Sequence, residues 1–197
     1  MRKRIGVVAL ALAAAMTAAC GGGTREDSND AVVGTSGEGA PRGVQRFVND
    51  VVAGNTAEIE LSRIAAQRAS NAEVKKYAEM MVQDHTAAGT ELKQALSQHS
   101  MQVQDVVDEK HRDMTQELGR LNGSQFDHEY MAAMVDDHQR MEELLEGRAN
   151  EEANNQPLEN AVNQWAAKTL PAVKHHLQMA QQIEDHLDDT PRRNTTQ

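Results

Sequence analysis

Several residue types that support particular folds and chemistries are scarce in this 197-residue chain. It has a single cysteine, Cys20, which excludes an internal disulfide and a zinc site built from several thiolates. Aromatic residues make up only 3% of the sequence, which disfavours an all-β sandwich because strands are enriched in aromatic and β-branched side chains. Positive charge is in deficit, with a formal net charge of −10, so the sequence predicts no nucleic-acid partner.

Sequence motifs of common enzymes are missing as well. There is neither a glycine-rich phosphate loop nor a serine nucleophile elbow. A ferritin-type di-iron site needs Glu-x-x-His on two helices, and the closest match is a single Asp108-x-x-His111. We therefore predict that the protein is not an enzyme, with a metal-dependent oxidoreductase as a minor alternative.

The N-terminus has the layout of a secretory signal peptide, which we assign to residues 1–19. A basic segment, residues 2–4, precedes an apolar run of about a dozen residues that is too short to span a membrane. Small residues then lead to Cys20, which predicts a bacterial lipoprotein whose mature N-terminus is an acylated Cys20. The alternative is ordinary cleavage near Ala19, and the mass of the mature protein distinguishes the two.

The rest of the chain divides into three parts by composition. Residues 20–43 are rich in glycine and poor in apolar residues, which predicts a lipidated cysteine followed by a disordered tether. Residues 44–187 carry apolar side chains at helical spacing, and residues 188–197 are predicted to be a disordered tail. The predicted location is the cell envelope, where a lipid would anchor the protein. Gly21 follows Cys20, which is compatible with the outer membrane, and a periplasm-facing surface is the other candidate location.

Residues 44–187 predict an all-α bundle of four long helices and one short crossover helix. The first long helix is expected at 44–69, and the crossover helix at about 104–121. Ser70 is predicted to open the second helix through a capping box, and Ser124 to cap the fourth element. Pro157 suits the first turn of the last helix.

A repeat links the second and fourth helices. Tyr77-x-x-x-Met81-Val82-x-Asp84-His85 matches Tyr130-x-x-x-Met134-Val135-x-Asp137-His138, at an offset of 53 residues. Because the crossover helix can return the chain, these two helices are expected to run parallel. The repeat then predicts that His85 and His138 lie at similar heights.

One polar residue interrupts the apolar stripe of each long helix, and the four together form a candidate metal site: Glu58, His85, His138 and His176. Counted from the turn that joins their helices, Glu58 and His85 differ in height by about one helical turn, and so do His138 and His176. Bundle proteins build metal sites from such inward side chains, and this donor set suits iron, zinc, copper or manganese. The alternative is that each is an ordinary core residue with its hydrogen bonds satisfied.

Five neighbouring residues are additional candidate ligands: Asp84, Asp137, Met81, Met134 and His175. Each methionine shares a helix face with a histidine four residues later, and thioether with imidazole suits copper. The alternative for the methionines is core packing, and each aspartate taken alone is interpreted as a solvated neighbour. Pro171 is expected to kink the last helix. The kink is either simply tolerated or, alternatively, aims the histidines that follow it.

Three stretches of the folded part resemble an exported bacterial ferritin-like family, domain-of-unknown-function family 4142. They read AEIELSRIAAQRASNAEVKKYAEMMVQDHTAAGTEL, FDHEYMAAMVDDH and KTLPAVKHHLQMA. The resemblance implies a ferritin-like four-helix bundle, export to the envelope and no established enzymatic activity. Its motif positions fall on Glu58, Asp84, His85, Asp137, His138 and His176. The doubled Met-Val-x-Asp-His is also similar to the doubled Met-x-x-His-His of a ferritin-like family with copper-binding members, with Asp in place of the first His.

The leading interpretation is an envelope-anchored, non-catalytic binding protein that holds a transition metal or serves a stress role. The alternative is a structural or protein-interaction module whose hydrogen-bonded polar core contains no metal. The sequence leaves protein partners and oligomeric state open, with a homo-oligomer as one candidate.

Overall fold

A computed structural model describes residues 40–189 of the chain. The predicted signal peptide, Cys20, the tether up to residue 39 and the tail from residue 190 lie outside the described residues.

All five helices of the described part lie within one bundle, which confirms the all-α prediction of four long helices and one short one. They are α1 (Arg42–Arg68), α2 (Ala72–Ser97), α3 (Glu109–Leu118), α4 (Gly123–Ala149) and α5 (Pro157–Asp189). The helical region extends two residues beyond each end of the predicted range 44–187. None of these helices combines the length and apolar character needed to cross a membrane.

The four long helices form two antiparallel hairpins, α1–α2 and α4–α5, that pack with α2 against α5 and α1 against α4. The C-terminal half of α1 and the N-terminal half of α2 share one core cluster with the N-terminal half of α4 and the C-terminal half of α5. The other halves meet in a second cluster. Helices α2 and α4 therefore run parallel, as the repeat predicts.

Helix α2 begins one residue later than the capping box predicts. Its N-cap is Asn71, whose side chain accepts hydrogen bonds from the backbone N–H groups of Glu73 and Val74. Ser70, the predicted cap, instead donates its hydroxyl and its backbone N–H to the carboxylate of Asp127 on α4. The prediction of Ser70 as the cap was wrong because asparagine one position later is an equally good cap.

The crossover helix is shorter than predicted. Residues 101–107 are not helical, and α3 starts after Asp108, whose carboxylate accepts the backbone N–H of His111 at 2.9 Å. Met101 and Val103 pack on the second core cluster from this irregular segment. Residues 104–108 of the predicted helix are not helical, because tertiary packing overrides a short local pattern.

Helix α4 starts at a glycine with positive φ. Gly123 has φ +59°, a backbone conformation that costs free energy for residues with a Cβ. The preceding residue, Asn122, occupies the N-cap position without a side-chain capping bond, so the prediction of Ser124 as the cap was wrong. The side chain of Arg68 instead holds this loop, donating to the carbonyl of Gly119 at 3.1 Å and to Asn122 Oδ1 at 3.0 Å.

Helix α5 begins at Pro157, as predicted, and continues through Pro171 to Asp189. A proline at the first position loses no helical hydrogen bond, whereas Pro171 removes one from the interior. Helix α5 is the longest of the described helices, with 33 residues. Like the other long helices, it contributes to both core clusters: Val173 belongs to the second and Ala180 to the first.

A layer of polar side chains separates the two core clusters. The first cluster reaches Met81 on α2 and Met134 on α4, whereas the second begins at Leu92 and Leu145 on the same helices. The polar residues between them are buried and come from all four long helices: Glu58, His85, His138 and His176. The fold thus places the candidate site halfway along the bundle, between two apolar core clusters.

Candidate metal centre

Three histidines from three different helices meet in the middle of the bundle, and we call them the histidine triad: His85 of α2, His138 of α4 and His176 of α5. Their ring centroids lie 5.4, 5.5 and 5.5 Å apart. One ring nitrogen of each lies within 4.8 Å of a ring nitrogen of both others. Their exposed fractions are 7%, 0% and 3%, so the predicted inward orientation of all three is confirmed.

Helical periodicity explains why these side chains face inward. His85 follows Met81 by four residues, and His138 follows Met134 by four residues, so each shares the face of a fully buried methionine. His176 lies three residues after Val173 and four before Ala180, both of which are buried. Because α2 and α4 run parallel and carry the same motif, their histidines reach the same height, as predicted.

Each imidazole of the triad has one ring nitrogen close to an oxygen acceptor, and we call this nitrogen the outer nitrogen of the ring. His85 Nδ1 lies 2.8 Å from Glu58 Oε2, and His176 Nε2 lies 3.0 Å from Asp84 Oδ2. His138 Nδ1 lies 2.9 Å from the carbonyl oxygen of Met134. For His138 and His176 these contacts are hydrogen bonds to a carbonyl and a carboxylate, which place the proton on the outer nitrogen of the ring, whereas His85 Nδ1 is in ion-pair contact with Glu58. The second nitrogen of each neutral ring then carries a lone pair.

Those second nitrogens lack hydrogen-bond partners. His85 Nε2, His138 Nε2 and His176 Nδ1 are buried, and none has a partner within residues 40–189. Buried polar atoms of proteins are almost always paired, so three orphaned nitrogens in one place need an explanation. An arrangement in which an outer acceptor orients an imidazole and leaves its other nitrogen free is typical of metal-ligating histidines.

The Glu58 carboxylate contacts the Nδ1 atoms of two members of the triad, not their unpartnered Nε2 atoms. It lies 2.8 Å from His85 Nδ1 and 3.6 Å from His138 Nδ1, and the residue is only 1% exposed. Burial by itself would raise the pKa of Glu58, but the adjacent imidazoles of His138 and His85, which stabilise the carboxylate most when they are protonated at low pH, outweigh burial and lower this pKa to about 2. Glu58 is therefore an anion in the interior of the bundle.

The imidazoles of the triad differ in how readily they take a proton. Burial alone would lower the pKa of His85, but the Glu58 carboxylate outweighs burial and raises it. Burial lowers the pKa of His138, and burial together with the charge on His85 lowers the pKa of His176 to about 4. At neutral pH, His138 and His176 are neutral, which is the state that a metal ligand requires.

The remaining predicted ligands occupy different surroundings. Met81 and Met134 are fully buried in the first core cluster, and His175 is on the exposed side of α5. The side chain of Asp84 is 44% exposed, in line with its interpretation as a solvated neighbour, yet it holds His176. Asp137 is different: it is only 6% exposed, so its interpretation as a solvated residue was wrong.

Asp137 is buried because a residue that the sequence did not single out as a ligand packs over it. His111 of α3 places Nε2 3.8 Å from Asp137 Oδ2, and Lys110 and Arg140 approach the other carboxylate oxygen. The signal that could have revealed this contact was Asp108-x-x-His111. It reads as the N-cap of α3 followed by a histidine in the first helical turn.

Comparison with proteins of known structure supports the fold. The crystal structure of a DUF305 protein from Streptomyces coelicolor, described as secreted, superposes with a TM-score of 0.59 at 14% identity. The match covers 74% of the present chain and 93% of the other, which at this identity shows the shared ferritin-like four-helix fold alone. No functionally curated protein matches the chain.

The sequence profile of one family matches most of the folded part. It covers residues 34–183, which include α1 to α4 and most of α5 together with every member of the histidine triad. The description of the family names no activity. The chain therefore belongs to DUF4142, a family defined by a domain of unknown function.

Proposed function

We propose that this protein is a non-catalytic binding protein that holds one transition-metal ion at the histidine triad. The observation that carries the proposal is the set of three buried, unpartnered nitrogens on His85, His138 and His176. Bound to one ion at about 2.0–2.1 Å, three such nitrogens would lie about 3.5 Å apart, and one ring nitrogen of each histidine already lies within 4.8 Å of one on both others. The ion would supply the missing partner for each nitrogen.

The donor set favours some metals over others. Neutral imidazoles suit zinc, copper and iron, whereas magnesium and calcium prefer oxygen ligands. Glu58 lies on the outer nitrogens of His85 and His138, so we propose that it orients these ligands and balances the charge of the ion instead of binding it. Among the four predicted metals, the proposal favours zinc and copper, followed by iron, and places manganese last.

Metal analysis of untagged protein tests this proposal. We expect protein that is stripped of metal and then dialysed against Zn²⁺ or Cu²⁺ to retain one tightly bound ion per chain. Co²⁺ should give the visible absorption bands of a site with nitrogen ligands. A retained content far below one ion per chain with zinc, copper, iron and manganese would instead support the structural or interaction module that lacks a metal.

Replacing Glu58 with glutamine should weaken metal binding by about 10- to 100-fold, because removal of an orienting partner loosens its ligand and removes the balancing charge. The glutamine keeps the volume and one acceptor oxygen, so the helices should remain intact. Competition between protein and a chromophoric chelator for Zn²⁺ measures the change. Glu60→Gln is the matched control because Glu60 is exposed on the same helix. Equal affinities for the two variants would remove Glu58 from the site.

We further propose that the bundle is exported and attached to the cell envelope through a lipid on Cys20. The basic and apolar segments before Cys20 support this proposal, as does the described secretion of the DUF305 protein that shares the fold. The partner implied is a membrane surface, with no nucleic acid because the chain is strongly acidic. A mature protein whose mass shows an unmodified N-terminus would contradict the anchor and leave the metal site untouched.

A further inference from the structure

A second cluster of ionisable side chains lies outside the histidine triad, between α1, α3 and α4. It comprises Asp108, His111 and Asp137, which we call the outer cluster. These residues line a cavity of about 570 Å³ that also reaches Glu58. The side chain of Asp108 is 35% exposed, so the cavity is open to solvent at its rim.

The tautomer of His111 follows from its contacts. Its Nδ1 lies 2.7 Å from Asp108 Oδ1, which also caps α3 by accepting the backbone N–H of the same residue. The carboxylate therefore holds the proton on Nδ1 and leaves Nε2 directed at Asp137. The relation of Asp108 to His111 repeats that of Glu58 to His85.

The gap between His111 and Asp137 has the width of a metal site rather than that of a hydrogen bond. The distance from Nε2 to Oδ2 is 3.8 Å, beyond the usual range of about 2.7–3.2 Å for N–H···O bonds. Donors that share one ion at about 2.1 Å lie roughly 3–3.5 Å apart, so a shift of a few tenths of an ångström would suffice.

Asp137 presents an unpartnered oxygen to this gap. Its Oδ2 is buried without a hydrogen-bond partner in the described part of the chain, and the side chain is 5% exposed. Arg140 and Lys110 both approach Oδ1, so they balance the carboxylate charge without covering Oδ2. A buried carboxylate oxygen facing an imidazole lone pair is unfavourable unless a proton or a cation lies between them.

We propose that His111 Nε2 and Asp137 Oδ2 bind a second divalent transition-metal ion, with water from the cavity completing its coordination. Imidazole and carboxylate together suit zinc, cobalt and iron. Only two protein donors contribute, so this outer site binds more weakly than the histidine triad. The proposal does not depend on the triad, because it shares no ligand with it.

Zn²⁺ titration of the untagged, metal-free protein by calorimetry tests the outer site. We expect a tight and a weak class of site in the unaltered protein. His111→Gln should remove the weak class, or weaken it at least about 10-fold, and leave the tight class unchanged. Asp137→Asn should do the same, and it keeps the shape of the side chain. His128→Gln is the control, because His128 also pairs with an aspartate, Asp188 at 3.4 Å, but lines no described cavity.

Imidazole NMR spectra recorded during the same titration identify the residue that binds. The ring signals that His111→Gln removes should shift when the weak class fills. A weak class that persists in His111→Gln, or its absence from the unaltered protein, would overturn the outer site. If the triad binds no ion, the result would be different. His138→Asn would then leave the Zn²⁺ titration unchanged, whereas His111→Gln would still remove the weak class of site.

Discussion

Replacing His138 with alanine should abolish tight metal binding, with a loss of affinity of more than about 100-fold. Loss of an orienting residue typically costs 10- to 100-fold, and removal of a ligand should cost more. His138 is the most deeply buried member of the triad, with an exposed fraction of 0%, and its Nε2 is one of the three nitrogens proposed to hold the ion. Chelator competition with Zn²⁺ measures the loss, and circular dichroism shows whether the helices persist.

Two further variants keep this experiment interpretable. His138→Asn retains a side-chain N–H that can donate to the carbonyl of Met134, so it guards against a loss of binding caused by misfolding alone. His128→Ala removes a partly buried histidine from the same helix and should leave affinity within about twofold. If His138→Ala and His128→Ala bind Zn²⁺ equally well, the triad does not hold the ion. His85→Ala should reproduce the loss seen with His138→Ala.

Replacing Asp127 with alanine should lower the free energy of unfolding by about 2–3 kcal/mol, which corresponds to a fall in melting temperature of roughly 4–12 °C. The Asp127 carboxylate is 1% exposed and accepts the backbone N–H groups of Ser70 and Asn71, at 3.0 and 2.8 Å. It also accepts the Ser70 hydroxyl. This one side chain therefore ties the α1–α2 turn to α4, and hydrogen bonds to a charged acceptor are stronger than average.

Thermal and urea unfolding of metal-free protein measure the effect of Asp127→Ala without the contribution of a bound ion. Glu129→Ala is the matched control, because Glu129 is exposed on the same helix two residues later. Its free energy of unfolding should change by no more than about 0.5 kcal/mol. If Asp127→Ala also changes the free energy of unfolding by no more than about 0.5 kcal/mol, water forms hydrogen bonds to the N–H groups of the turn equally well, and the Asp127 carboxylate adds no stability.

The long helices and the inward direction of the triad could be predicted because both depend on periodicity. Spacings of three and four residues assign a side chain to the buried face wherever the apolar stripe is long, as it is around His85 and His138. The parallel arrangement of α2 and α4 also followed, since the repeat and the crossover between them are visible in the sequence. These inferences need only local geometry and a count of helical turns.

The roles of Glu58, Asp137 and His111 could not be obtained in that way. Whether Glu58 faces the outer or the inner nitrogen of a histidine depends on ring orientation, which the sequence does not encode locally. The burial of Asp137 depends on α3 lying over it, and α3 is a ten-residue helix that follows an irregular segment. Short elements are positioned by tertiary contacts, so their neighbours are not predicted by periodicity.

The polar layer between the two core clusters has a mechanical consequence. His85 belongs to the first hairpin, whereas His138 and His176 belong to the second, so an ion at the triad would act as a cross-link between the hairpins. The contribution of the ion to the free energy of unfolding would grow with the concentration of free ion, reaching about 2.7 kcal/mol at a hundredfold excess over the dissociation constant. The free energy that holds the two hairpins together at the polar layer would then depend on the concentration of free metal ion around the protein.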